Sequence, residues 1–418
     1  MQNLKFSTIF SIISQRRRKS GSVDPWCKKV EAIMSVQDKF RTFQTNTAEA
    51  RRAAQELYAG VVQPDMELVV FFCSSDYDLE ALADELKQLF AGTQVVGCTT
   101  AGEIGPAGYL QQSLSGASFP AGRCKVVAGL LEGLQQFDVT RGYSFAQTLL
   151  QRLEGRAPEA DAGNSFAFML IDGLSMREEL VTHTLRLALD KLPLVGGSAG
   201  DDMKFIRTQV YYDGRFHSDS AILTLITTSL PFKIFRTQHF VRTDKRLVVT
   251  EADTAKRIVK EIDGMPAAEA YARILGVEVR DLTPSLYASW PVVVMINGAD
   301  YVRSIQKVNP DGSLSFFCAI EEGLVLRVAY GINLEKDLQR TFDEISKEAG
   351  FPQLVIGFDC ILRALEIDQM GIRDSIGEIF RYRNTIGFST YGEQFHGVHV
   401  NQTLTGIFIG SVRERNND

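Results

Sequence analysis

Apolar and polar positions along this chain fall into an order that returns three times. Residues 47–60 carry apolar side chains at helical spacing, with Thr47 as the expected N-cap and Ala-rich turns behind Glu49. Residues 68–73, LVVFFC, are an unbroken apolar run of strand length, and 78–91 return to the helical spacing. Val95 and Val96 then lead into the small-residue turn Gly97-Cys98-Thr99-Thr100-Ala101-Gly102-Glu103. The second round predicts helices over 144–153 and 177–192 around a strand at 165–171, with Leu194 and Val195 leading into Gly196-Gly197-Ser198-Ala199-Gly200-Asp201. The third predicts helices over 342–349 and 374–382 around a strand at 354–358, with Thr385 and Ile386 leading into Gly387-Phe388-Ser389-Thr390-Tyr391-Gly392-Glu393.

Each copy, about 65 residues long, has the logic of a β-α-β unit: a buried strand, a crossover helix and a second strand ending in a turn. Each turn offers a hydroxyl, Thr99, Ser198 or Ser389, followed by glycine and an acid, Glu103, Asp201 or Glu393. Two readings stand: ligand loops at strand ends, or turns held by their own hydrogen bonds.

Between the second and third copies the signals turn antiparallel. Asp213-Gly214 marks a hairpin between 208–212 and 218–227. Residues 231–241 read as one extended segment, with Phe235, Thr237, His239 and Val241 on one face, followed by a strand at 246–250. A helix is expected over 254–262 and another over 267–275, started by Pro266. Four strands, 290–295, 301–308, 313–320 and 324–330, complete a meander with Pro310-Asp311-Gly312 as a turn. The expectation is a mixed α/β fold of repeated β-α-β units with small-residue turns plus an antiparallel meander. It divides into an extension over 1–37, disordered or an over-long reading of the gene, and domains over 38–230 and 231–418.

Composition narrows function by exclusion. Of the net charge of −6, the first 33 residues contribute +5, with the cluster Arg16-Arg17-Arg18-Lys19, and the rest −11. An acidic body is a poor match for nucleic acid. No apolar run has the length of a membrane-spanning helix. The six cysteines, with no C-x-x-C pair, read as reduced, buried thiols.

Three constellations could carry chemistry. Gly196–Gly200 satisfies G-x-S-x-G, the hydrolase elbow, yet the other two copies have a related turn without the motif, so it reads as coincidence. Cys98 or Cys360 with His396 or His399 would make a Cys–His pair, but Cys360 follows a buried-looking strand. His396-x-x-His399 has metal-ligand spacing only on a helix, and Gly397 argues for loop and strand. No enzymatic activity is expected. His239, on a strand among aromatic residues, suits either a core imidazole bonded to a carbonyl or the axial ligand of a five-coordinate haem.

The turns at 97–103 and 196–201 resemble the N-terminal part of the FIST sensory domain. The turn at 387–393, with His399-Val400-Asn401-Gln402-Thr403, resembles its C-terminal part, and the likeness runs over 38–412. Thr237-Gln238-His239-Phe240 ahead of Leu247-Val248-Val249-Thr250 resembles the haem-binding, nitric-oxide-sensing branch of that family. That resemblance implies haem b on the iron ligand His239, nitric oxide as ligand, a cytoplasmic location, and regulation of a histidine kinase or cyclic-di-GMP enzyme. It leaves homo-oligomer formation open. The alternative is a FIST sensor of another small ligand, such as an amino acid, without haem.

Overall fold

The computed structural model describes residues 39–296 and 298–411. The expected extension, its basic cluster and Cys27 lie outside the described residues. Within them the fold is mixed α/β, and the repetition is deeper than the sequence pattern suggests. Three six-stranded sheets share one strand order: first strand, last strand, two parallel strands, then a borrowed hairpin. In the first repeat, Arg41–Thr45 pairs with Leu114–Pro120, which pairs antiparallel with Met66–Ser74, which runs parallel to Gln94–Thr100. Cys124–Glu132, Ser220–Thr228, Ser165–Ile171 and Leu194–Ser198 repeat this order, as do Phe232–Thr237, Leu404–Ile409, Leu354–Cys360 and Thr385–Thr390.

The hairpin that follows each parallel pair does not stay with its own sheet. The first repeat's hairpin, Glu103–Gly105 and Gly108–Leu110, adds to Thr385–Thr390 of the third. The second's, Val210–Tyr212 and Arg215–His217, adds to Gln94–Thr100 of the first. The third's, Glu393–Phe395 and Val398–Val400, adds to Leu194–Ser198 of the second. The exchange is cyclic, so each sheet is completed by a different repeat.

The inner faces of the three sheets meet in one core in which Phe72, Phe168, Phe358 and Phe388 are fully buried. The outer faces are covered by each repeat's own helices: Ala50–Val61 and Leu79–Leu89, Val139–Arg156 and Glu178–Ala188, and Leu334–Ala349 with Arg373–Tyr382. Strands buried on both sides need no alternation, which is why LVVFFC reads as a continuous apolar run. Gly97, Gly196 and Gly387 occupy the same place in the three repeats. A β-carbon there would lie 2.5, 2.3 or 2.1 Å from a carbonyl oxygen of the parallel neighbour, so side chains are excluded by that strand.

The third repeat is interrupted between Thr237 and Leu334. The insertion is an eight-stranded sheet with its own core, formed with the helix Ala267–Leu275 and the short helix Pro284–Ser289. The expected boundary at 230 falls between the last strand of the second repeat and the first of the third, and hairpin pairing crosses it in both directions.

Several element expectations differ from the fold. The extended segment 231–241 breaks at Gln238-His239, between Phe232–Thr237 and Phe240–Asp253. Residues 254–262 are not helical: a 3₁₀ turn, Thr254–Lys256, precedes the strand Ile258–Ile262, where Val259 and Ile262 pack against the helix Ala267–Leu275. β-Branched residues with a buried face favour that strand. The first helix starts at Ala50, because Glu49 rather than Thr47 caps it, accepting from the Arg51 and Arg52 amides. Thr45 and Thr47 both donate to Glu56 instead.

Candidate functional site

The exchanged hairpins diverge where the parallel strands end, and there the three small-residue turns bond to one another. The Ala101 amide donates to the Ser389 carbonyl, and the Ser389 amide to the Gly102 carbonyl. Gly200 donates to Thr99, Ser198 to Gly392, and Tyr391 to Ser198. The Thr390 hydroxyl lies 2.7 Å from the Ser198 carbonyl and 2.9 Å from the Gly392 carbonyl, closing the ring of turns.

Each expected ligand-turn residue has a different place in this hub. Thr99 Oγ1 accepts from the Gln209 amide at 3.0 Å, and Ser198 Oγ accepts from Gln394 Nε2 at 2.9 Å. Both are internal to the pairing. Ser389 alone lines a crevice of about 370 Å³ at the carboxyl ends of the strands. The acids also divide. Glu103 and Glu393 open their hairpins fully buried, and each accepts from the amide and hydroxyl ten residues on, Ser113 and Thr403. Asp201 instead organises an excursion peculiar to the second repeat. It accepts from the Phe205, Ile206 and Arg207 amides and from the Tyr391 hydroxyl, which in turn takes the Met203 amide at 2.9 Å.

All three repeats build the crevice. The first gives Ala101, Gly102 and the hairpin from Tyr109 to Gln112; the second gives Asp202, Met203 and Lys204; the third gives Ser389, Asp368, Arg373 and one face of the helix Ile361–Gln369. Its charges are mixed. Lys204 pairs with Asp76, Arg373 grips both oxygens of Asp368, and burial raises the Asp202 carboxyl above its ordinary range. A crevice at strand ends, where neighbouring strands part to different sheets, is where α/β folds bind small molecules.

Beneath it runs a buried polar relay that pattern reading missed, because its members are far apart in sequence. The Tyr109 hydroxyl donates to Asp359, and Arg363 Nε donates to the same carboxylate at 2.6 Å. Arg363 Nη1 donates to His239 Nδ1 at 3.0 Å. The opposite ring nitrogen, Nε2, then carries the proton and donates to Glu366, 2.9 and 3.0 Å from its two oxygens. Burial holds the His239 pKa below its ordinary value, so the ring is neutral. The His239 carbonyl accepts from the Ile332 amide at 2.7 Å, so this residue joins both ends of the insertion.

An axial haem ligand needs a ring nitrogen with a free lone pair and room for a macrocycle. His239 is wholly buried, Nδ1 receives Arg363, and Nε2 holds the proton given to Glu366. The expected axial role does not fit this arrangement. Among the described residues, no group of three or more His, Cys, Asp or Glu is placed to hold a metal ion. Cys98 and Cys360 are buried and their thiols are pushed well up by burial, which keeps them protonated and poorly nucleophilic. His396 is the left-handed tip of the third hairpin, and His399 sits on its outer strand, paired with Gln394.

Comparison with known proteins settles the family. The FIST N domain matches residues 67–265 and the FIST C domain 267–396, together most of the chain. This is a FIST protein. It is 24% identical over 375 residues to an uncharacterized protein, MJ1623, of Methanocaldococcus jannaschii, covering 78% of this chain and 71% of that one. The two FIST segments meet inside the insertion, so the crevice takes residues from both. Among the described residues, no helix is long and apolar enough to cross a membrane.

Proposed function

We propose that this FIST protein is a sensory module that takes a small zwitterion, of the amino-acid class, in the crevice at the hub and passes the event to its inserted sheet. The observation that carries this reading is the junction of crevice and relay. Tyr109 is both wall of the one and end of the other, and the helix Ile361–Gln369 supplies Ala364 and Leu365 to the crevice but Arg363 and Glu366 to the relay. Arg373 and Lys204 suit a carboxylate, Asp202 and Asp368 an ammonium. A ligand that draws on these groups shifts Tyr109 and the helix. His239, at the break between the third repeat and its insertion, then moves with Arg363. A ligand changes such an equilibrium only by its differential affinity for the two arrangements. The surface so altered is read by a signalling partner, a histidine kinase or a cyclic-di-GMP enzyme, as the resemblance implies.

Thermal melts with single amino acids test the reading. A cognate ligand at a hundred times its dissociation constant adds about 2.7 kcal/mol of stability. Arg373→Met is expected to remove the shift while leaving the stability of the unliganded protein within about 1 kcal/mol. No shift with any amino acid sinks the proposal. Nitric-oxide sensing through haem would require His239 to leave both Glu366 and Arg363. A Soret band formed with haem by the wild type, and lost in His239→Ala, would favour that reading over this one.

A further inference from the structure

A second feature lies apart from the crevice, where the third hairpin is covered by the inserted sheet and by the helix Glu178–Ala188. Gln394, His399 and Asn401 share one face of this hairpin and are at most 2% exposed. The Gln394 amide is oriented by its neighbours. Its nitrogen faces the Gly392 carbonyl at 3.1 Å and Ser198 Oγ at 2.9 Å, and a carbonyl can only accept. That same nitrogen lies 3.3 Å from His399 Nδ1, which therefore accepts, leaving the proton on Nε2. Burial holds the His399 pKa down at about 4, so the ring is neutral.

These side chains then present polar atoms with no protein partner. Gln394 Oε1 and both ends of Asn401 are buried and unpaired, and so is Arg303 Nε. His399 Nε2 and Asn401 Nδ2 flank the Gly392 α-carbon, 2.6 and 3.0 Å from the place a β-carbon would occupy. The Phe317 carbonyl accepts from Arg257 Nη1 at 2.8 Å on one lone pair and faces the protonated nitrogen of the His399 ring with the other. Neighbouring charges are spent in pairs, since Arg257 bonds Glu178 and Glu179, and Glu179 also accepts from the Ala319 amide. Arg303, on a strand packed against Val398–Val400, forms no ion pair among the described residues. Leaving a buried polar group unpaired forfeits its hydration without replacement, so several together imply an occupant.

We propose that this nest is an enclosed site for a short hydroxy-carboxylate. Asn401 Nδ2 and Arg303 take the carboxylate, while Gln394 Oε1 or Asn401 Oδ1 accepts the single hydroxyl proton. A neutral hydroxyl suits the second half because its two acceptors are uncharged amides and the nearby carboxylates are already paired. The site is independent of the crevice and holds or fails separately from it.

The test uses the full chain and glycolate, with acetate, acetamide and chloride at matched ionic strength. Glycolate is expected to raise the melting temperature most, acetate less, and acetamide no more than chloride. Asn401→Asp, which puts a negative charge beside the carboxylate, is expected to weaken glycolate at least tenfold; Arg303→Met, which keeps the volume, does the same if the first variant fails to fold. Arg373→Met in the crevice leaves the glycolate shift intact. Equal shifts from glycolate and chloride, or an undiminished glycolate shift in both nest variants, overturn the proposal. So does a glycolate-soaked crystal with only water on Asn401 and Arg303.

Discussion

At the scale of single residues, the hub shows how a carboxyl can be built to stay neutral. Thr100 Oγ1 lies 3.1 Å from the Cys73 carbonyl, which can only accept, so the hydroxyl proton goes there and its lone pairs face Glu103 Oε1. Ser113 supplies both its amide and its hydroxyl to Oε2. A proton on Oε1 completes the set, and burial raises the Glu103 pKa to about 8. The folded chain therefore holds this proton more tightly than the unfolded one, and stability falls as pH rises from about 4.5 to 8. His399 acts in the opposite sense, since its pKa of about 4 lies below the ordinary 6.5 and its contribution is lost as pH falls between them. Above pH 6.5 only the Glu103 slope remains of these two. Glu103→Gln, whose amide can donate to Thr100, is expected to gain about 2 kcal/mol on the wild type between pH 6 and pH 8. Urea melts at the two pH values measure the difference, and parallel curves would show that Glu103 is ionised in the fold.

At the scale of elements, what was legible in the sequence is what depends on neighbours along the chain. Buried strands, crossover helices and the three turns follow from spacing alone, and Thr99, Ser198 and Ser389 were found because each turn repeats. The relay was not legible, because His239 and Asp359 lie far apart within the third repeat and Tyr109 reaches them only through the hairpin exchange. The strand Ile258–Ile262 was misread as helix for a related reason: its burial comes from Ala267–Leu275, not from its own periodicity. The glycines at the strand centres give the sharpest check. A β-carbon on Gly387 would sit 2.1 Å from the Gly357 carbonyl, against a backbone that cannot turn aside. Gly387→Ala is expected to cost about 3 kcal/mol by forcing the parallel strands apart. Gly371→Ala, at a positive φ with open space around it, is expected to cost about 1 kcal/mol from backbone strain alone. Similar losses for the two would mean that the strand pair yields easily.

At the scale of the whole molecule, the exchange makes the two FIST segments one folding unit. A fragment ending at residue 230 keeps the first and second repeats but loses the hairpin Glu393–Phe395 and Val398–Val400, leaving Leu194–Ser198 as a bare edge. Residues 231–418 lose the hairpin Glu103–Gly105 and Gly108–Leu110, which leaves Thr385–Thr390 bare in turn. Each fragment also uncovers its share of the central core, where the Phe72 and Phe388 rings pack at a tilt with centres 4.7 Å apart. An apolar, unpaired sheet edge is an aggregation site rather than a stable surface. Neither fragment alone is expected to show a cooperative thermal transition, while the two expressed together are expected to co-elute and melt as one. A cooperative melt from residues 39–230 alone would show that the second sheet closes without the third repeat's hairpin. The cyclic exchange would then be a late docking step, and a signal from the crevice would have to reach the inserted sheet through His239 alone.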